Sequence, residues 1–119
     1  MAIHNDLGRL GESLAVGYLL ENNYVILERN WRFHKAEIDI IAKKEAQIII
    51  VEVKTRNSNF FGDPQSFVSP EKIKLLLKAA NQYLVSNNIP LEARFDILAI
   101  IKNKSTQEIT HFKDAFYHF

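Results

Sequence analysis

The chain has 119 residues, about the size of one domain, and its 47% hydrophobic and 24% charged residues are ordinary for a folded globular protein, which excludes disorder. It contains no cysteine; this removes disulfide scaffolds, thiolate zinc sites and cysteine nucleophiles together, and makes a reducing cytoplasm the expected compartment. A formal net charge of +1 neither demands nor excludes a nucleic-acid partner, so any such partner must rest on a local cluster.

The first residues, "MAIHNDLGRLGESLA", show no charged-then-apolar leader, and no apolar run approaches the roughly 20 residues that span a bilayer, so no membrane association is expected. Asp6 reads as an N-cap for a helix over about residues 7–22, with Leu7, Leu10, Leu14 and Tyr18 at helical spacing. "YVILERNWRF" and "AEIDIIA" are β-rich segments joined by a polar turn, "HKA". "KKEAQ" is a second turn, leading into a third strand, "IIIVEVKTR". Residues 57–68 are loop-like, broken by Gly62, Asp63 and Pro64.

Ser69, Pro70 and Glu71 then give a capping hydroxyl, a first-turn proline and a first-turn acid, and Ile73, Leu76, Leu77, Ala80 and Leu84 form an apolar stripe. Asn87-Asn88-Ile89-Pro90 stops this helix; "ARFDILAII" and "EITHFKDAF" are a fourth and a fifth strand. A strand, a helix of this length and another strand predict a right-handed crossover with the third and fourth strands parallel. The whole, residues 1–119, reads as a single α/β domain of order α-β-β-β-α-β-β around a mixed sheet.

The third strand raises the chemical question. Glu52 and Lys54 share one face about 6–7 Å apart, near the end of the most apolar strand in the chain. On the second strand Glu37 and Asp39 are expected on one face, with Ile38 and Ile40 on the other. If the two strands form a hairpin, Asp39 approaches Glu52. Two carboxylates in one site repel unless a cation stands between them, and hard oxygen ligands suit Mg²⁺ or Mn²⁺. A lysine beside such an ion can orient a water and offset charge developing on phosphorus. Chance alone supplies about one acid-x-Lys triplet in a chain of this composition. Here Glu52-Val53-Lys54 is the one Glu-x-Lys, and its position at the strand end carries the signal.

"AEIDIIA" followed by "IIIVEVKTR" resembles the PD-(D/E)xK, or restriction-endonuclease-like, nuclease superfamily. With "LGESLAVGYLLENNYVILERNWR", "FGDPQSFVSPEKIKLL" and "RFDILAI", nearly the whole chain is similar to the YraN family of small bacterial proteins, considered related to archaeal Holliday-junction resolvases. The resemblance implies an αβββαβ core and a divalent-metal site: Asp39 and Glu52 as ligands, Lys54 as the catalytic lysine, and Glu12 as the helical glutamate that joins the site. Ala36 stands where the family usually has glycine, and Ile38 at the superfamily's proline position; neither change removes a ligand.

Each residue also has a plainer role. Glu52 and Lys54 can be a solvated pair at a sheet end. Glu37, nearer the turn, can face solvent or support a ligand from behind. Glu12 lies in the row Gly8, Glu12, Ala15, Leu19, which faces either the sheet or an exposed flank; Gly8 and Gly11 suggest close backbone packing there. Arg56, Lys72, Lys74 and Lys78 are either solvated charges or a grip on backbone phosphates, with Lys72 foremost because it matches a lysine in the family's corresponding helix. His4, His34, His111 and His118 show no metal-ligand spacing and read as surface or packing residues; the "FYHF" tail either packs on the last strand or joins an interface.

The reading is a cytoplasmic endonuclease-like protein that hydrolyses phosphodiesters of nucleic acid, DNA foremost and branched DNA among its forms, by attack of a metal-oriented water. The alternative is a catalytically silent nucleic-acid-binding or protein-interaction module on the same scaffold. Analogy with resolvases adds a homodimer.

Overall fold

Each element follows from local sequence chemistry, and one departure from regularity opens the site. The computed structural model describes residues 3–57 and 68–116; most of the predicted 57–68 loop and the end of the "FYHF" tail lie outside the described residues. Helix α1 (Ile3–Glu21) begins earlier than predicted. Asp6 is therefore not the cap: it sits in the first turn, where an acid also suits the helix dipole, and pairs with Arg9 at 2.7 Å. Strands β1 (Val25–Phe33), β2 (Ala36–Lys44) and β3 (Gln47–Arg56) follow as an antiparallel meander. The turn between β2 and β3 is tighter than "KKEAQ", since Lys43 and Lys44 remain in β2 and Glu45 takes a left-handed φ of 55°.

Helix α2 (Pro70–Ser86) starts as its sequence predicts, with Ser69 Oγ accepting the Lys72 N–H at 3.1 Å and Pro70 in the first turn. Ile73, Leu76, Ala79, Ala80 and Tyr83 are buried, while the predicted Leu77 and Leu84 flank them half-buried. Strands β4 (Ala93–Lys102) and β5 (Gln107–Phe112) complete a sheet of order β1-β2-β3-β4-β5, in which β3 and β4 are the parallel pair. The α/β architecture and the element order are as the sequence indicates, and they match a restriction-endonuclease-like core. Among the described residues no helix is long and apolar enough to cross a membrane.

The helices cover opposite faces. Ala15 and Leu19 of α1 pack with Ile49, Val51, Leu98 and Ile100, whereas Ile73 and Leu76 of α2 pack with Ile48, Ile50 and Ile97. Strict alternation holds along β3 and fails in β2. Ile38 faces α2 and Ile40 faces α1, although a regular strand puts both on one face. The reason is local: the β2–β3 ladder ends at Ile40 opposite Val51, and beyond it the Val53 N–H donates to Asp39 Oδ2 at 2.9 Å. A side chain has replaced the backbone partner. The two strands fork there while β3 stays paired with β4 as far as Arg56.

Gly11 sets the approach of α1 to this fork. A Cβ at Gly11 would lie 1.8 Å from Thr55 Oγ1 and 2.8 Å from Thr55 Cβ, whereas one at Gly8 meets nothing within 4 Å. The close packing predicted for both glycines thus occurs at Gly11 and not at Gly8. Gly11→Ala will lower stability by about 1–3 kcal/mol because the helix must shift. Gly8→Ala will raise it by up to about 1 kcal/mol through helix propensity alone. Urea melts of the two variants check the opposite signs.

Candidate active site

Glu52 is only 3% exposed, near the end of β3 on the α2 face. Its Oε2 accepts a hydrogen bond from Lys72 Nζ and has Lys54 Nζ at 3.5 Å; its Oε1 is buried with no hydrogen-bond partner. Asp39 stands across the fork, half-buried, and lines a cleft of about 400 Å³ together with Lys35, Glu37, Ser69, Lys72 and Leu75. Burial, then the neighbouring Glu52 charge, raises its carboxyl from 3.8 to about 7; Glu12 adds to the rise, and the Val53 N–H and Lys72 oppose it. Asp39 therefore senses Glu52 from the α2 side and Glu12 from α1.

The Lys72 ammonium answers these acids. Burial pulls its pKa down, but the hydrogen bond to Glu52 and the charges of Glu52, Asp39 and Glu37 outweigh that, leaving it above the usual lysine value. Lys72 was expected to hold phosphate; the structure sets it on Glu52, closer than Lys54. Ser69 and Pro70 explain the placement, since they fix Lys72 in the first turn of a helix that packs on β2 and β1.

The remaining predicted residues are more dispersed. Glu37 pairs across the strand with Arg32 at 3.5 Å while lining the Asp39 cleft. Arg56, Lys74 and Lys78 are exposed, and Lys78 lines a second cleft beside the first. Glu12 is half-buried next to Gly11 and does not complete a cage: among the described residues no group of three or more Asp, Glu or His side chains is arranged to hold a metal ion. The fit to a hard cation rests on two neighbouring carboxylates: Glu52 has an orphaned buried oxygen, and burial and then the Glu52 charge raise Asp39 to about 7.

A second polar cluster escaped sequence reasoning. Asp96 is fully buried on β4 and accepts from Arg94 Nε at 2.9 Å, Arg94 Nη2 at 2.7 Å and the Asp114 N–H at 3.0 Å. His111 Nε2 lies 2.7 Å from the same carboxylate, and its Nδ1 lies 3.0 Å from the Tyr18 hydroxyl. Burial alone would raise the Asp96 pKa, but these bonds hold it below the usual carboxylate range. The signal was available: Arg94-x-Asp96 is a same-face charged pair in an apolar strand, the pattern that singled out Glu52-x-Lys54. His111, expected as a surface or packing residue, is instead a member of this buried hydrogen-bonded cluster, its side chain only 6% exposed.

The raised Asp39 group makes stability depend on pH. Between about pH 4 and pH 7 the folded protein retains a proton that the unfolded chain has lost, so stability falls as pH rises through that window. In chelator, Asp39→Asn will lack this fall, so the stability difference between variant and wild type will change by a few kcal/mol across the window in denaturant melts.

The profile of the family described as "Uncharacterised protein family UPF0102" matches residues 11–100, which include every residue of the carboxylate–lysine site. A UPF0102 protein of Flavobacterium psychrophilum is 60% identical over 119 residues, covering the whole of both chains. One from Christiangramia forsetii is 53% identical over the same span, again with full coverage of both. A UPF0102 protein of Bacteroides thetaiotaomicron is 45% identical over 117 residues, or 98% of this chain and 97% of its own. With a matching profile and relatives of equal length, the chain belongs to UPF0102, the YraN family.

Proposed function

We propose that this protein is a cytoplasmic, divalent-metal-dependent nuclease that hydrolyses phosphodiester bonds of nucleic acid, DNA foremost. The observation that carries the reading is the pair of acids at the fork: the buried Glu52 Oε1 has no hydrogen-bond partner, and burial with the Glu52 charge raises Asp39 to about 7. The Val53 N–H needs an acceptor at Asp39, which a neutral amide oxygen would also supply, and the buried Glu52 Oε1 makes no hydrogen bond at all. A site that gathers negative charge at the cost of stability is a functional-site candidate.

Asp39 and Glu52 would hold Mg²⁺ or Mn²⁺, with Glu12 assisting from α1. Such an ion supplies Lewis acidity at the phosphate and lowers the pKa of the attacking water. Lys54, 3.5 Å from Glu52, orients that water and offsets charge developing on the phosphoryl oxygens. Lys72, hydrogen-bonded to Glu52 through a half-exposed side chain, would be free to turn to the phosphate were Glu52 to serve as a ligand. Glu37 braces the cleft from the β1 side through Arg32. Arg56, Lys74 and Lys78 extend positive charge for backbone phosphates without reading sequence. A homodimer would provide two such sites for cutting two strands.

One observation favours a second reading. The Lys72 ammonium already balances the Glu52 charge through Oε2, as an internal cation would in a catalytically silent binding module. The test is a cleavage panel of duplex, single-stranded and branched substrates with Mg²⁺ and Mn²⁺, using Glu52→Ala as control. Ion-dependent cutting that the variant lacks supports hydrolysis. Binding without cutting, unchanged by the variant, supports the module.

A further inference from the structure

The carboxylate cleft does not end at Asp39. A second cleft of about 390 Å³, lined by Phe33, His34, Lys35, Ala36, Leu75 and Lys78, shares Lys35, Ala36 and Leu75 with the first. The two form one groove between the β1–β2 turn and α2. We infer that this outer part is a subsite for an unpaired nucleobase, so that the substrate is a nucleic acid with a single-stranded or flipped-out nucleotide next to the phosphate held at Asp39 and Glu52. The inference rests on the nuclease reading above and narrows it to a substrate class.

The chemistry of the lining points to a base and its phosphate. Phe33 and His34 meet at 4.2 Å with their rings 68° apart, forming an aromatic corner that offers one ring face and one ring edge. Leu75, a large apolar side chain left 37% exposed, completes the floor. Base–aromatic stacking needs such a surface and tolerates any base. Lys35 and Lys78 are exposed on the rim, and neither makes an ion pair with a described residue, so their charge is free to meet a phosphate. The cleft also falls in the size range of small-ligand sites, about 300–1,000 Å³.

The corner is preorganised. Trp31 stacks behind Phe33 with centroids 6.4 Å apart and planes 11° apart, and its edge abuts Tyr83 of α2 at 5.2 Å. His34 takes a left-handed φ of 56° in the turn, a conformation more usual for glycine or asparagine, and this sets its ring at the groove's lip. In a paired duplex the base faces are hidden by stacking, so an aromatic corner next to the phosphate site can be filled only by a base that has left the stack. Continuity with the phosphate site is what selects a nucleotide over other ring-bearing ligands.

Trp31 is the single tryptophan in the chain, so its fluorescence reports on the groove whether or not cutting occurs. In chelator, a short single-stranded oligonucleotide will quench Trp31 saturably. An abasic strand of equal length and charge will bind about tenfold more weakly and leave the fluorescence nearly unchanged. His34→Ala and Lys78→Ala will each weaken the intact strand by about three- to tenfold, and Phe33→Ala by about tenfold. Phe33 packs on Trp31 and its variant can misfold, so the two exposed positions carry the test. Equal binding and equal quenching by intact and abasic strands would overturn the subsite, as would duplex binding that exceeds single-strand binding and is indifferent to His34→Ala. Adding Mg²⁺ to the same strands separates this inference from the nuclease reading. Cleavage with base-independent binding removes the subsite alone, and base-dependent quenching without cleavage removes hydrolysis alone.

Discussion

Glu52→Ala will lose magnesium-dependent cleavage by at least about 10²–10³-fold, the range seen when one preorganised electrostatic group is removed from an active site. It will keep the fold. The two expectations have one cause. Glu52 is 3% exposed with an unpaired Oε1, so its burial is expensive in the free protein, and removing it discards that cost. Its partner Lys72 has a side chain 42% exposed and can turn to solvent rather than remain a buried, unpaired charge. Glu52→Ala should therefore melt within a few degrees of wild type or above it, as happens where function holds a strained charge in place. The same samples decide the metal question. Mn²⁺ or Ca²⁺ should raise the melting temperature of the wild type by mass action and leave Glu52→Ala and Asp39→Ala unmoved. Undiminished cutting by purified Glu52→Ala would end the nuclease reading at this site.

The largest effect on stability will come from the opposite face of the sheet. Asp96→Ala leaves the guanidinium of Arg94, whose side chain is 20% exposed, and the 6%-exposed ring of His111 without their shared carboxylate. It also frees the Asp114 N–H. Breaking a buried charge network by removing one member costs about 3–5 kcal/mol. For a domain of this size that is roughly 10–20 °C in melting temperature. Because the folded-state pKa of Asp96 is depressed, its contribution is present above the unfolded carboxylate value and is lost as pH falls through the folded one. Acid unfolding of the wild type will therefore steepen at low pH, and Asp96→Ala will lack that step. Melts followed by circular dichroism across acid pH check both the drop and the step.

The two networks show how differently a site and its scaffold are written in a sequence. Glu52-x-Lys54 and Arg94-x-Asp96 are equally visible as charged pairs at a strand period of two. Only the first stood out, because it closes the most apolar strand and carries the family likeness. The second was passed over as part of "ARFDILAII", and its partners Tyr18, Tyr24, Gln47 and His111 come from four other places in the chain. No local pattern brings them together. The same limit put Lys72 among the phosphate contacts, although it reaches Glu52 twenty positions away.

Sequence alone determined the element order, the cap of α2, the parallel crossover between β3 and β4, and the shared face of Glu52 and Lys54. Each follows from spacing, turn chemistry or chain connectivity, which act within a few residues. Tertiary structure alone decided that β2 forks from β3 at Asp39, that Gly11 rather than Gly8 lets α1 approach Thr55, and that Lys72 sits on Glu52. The physical reason is that burial and charge balance belong to the packed interior. A carboxylate acquires a pKa near 7 or an orphaned oxygen only when distant segments exclude water around it, and no stretch of chain carries that information by itself.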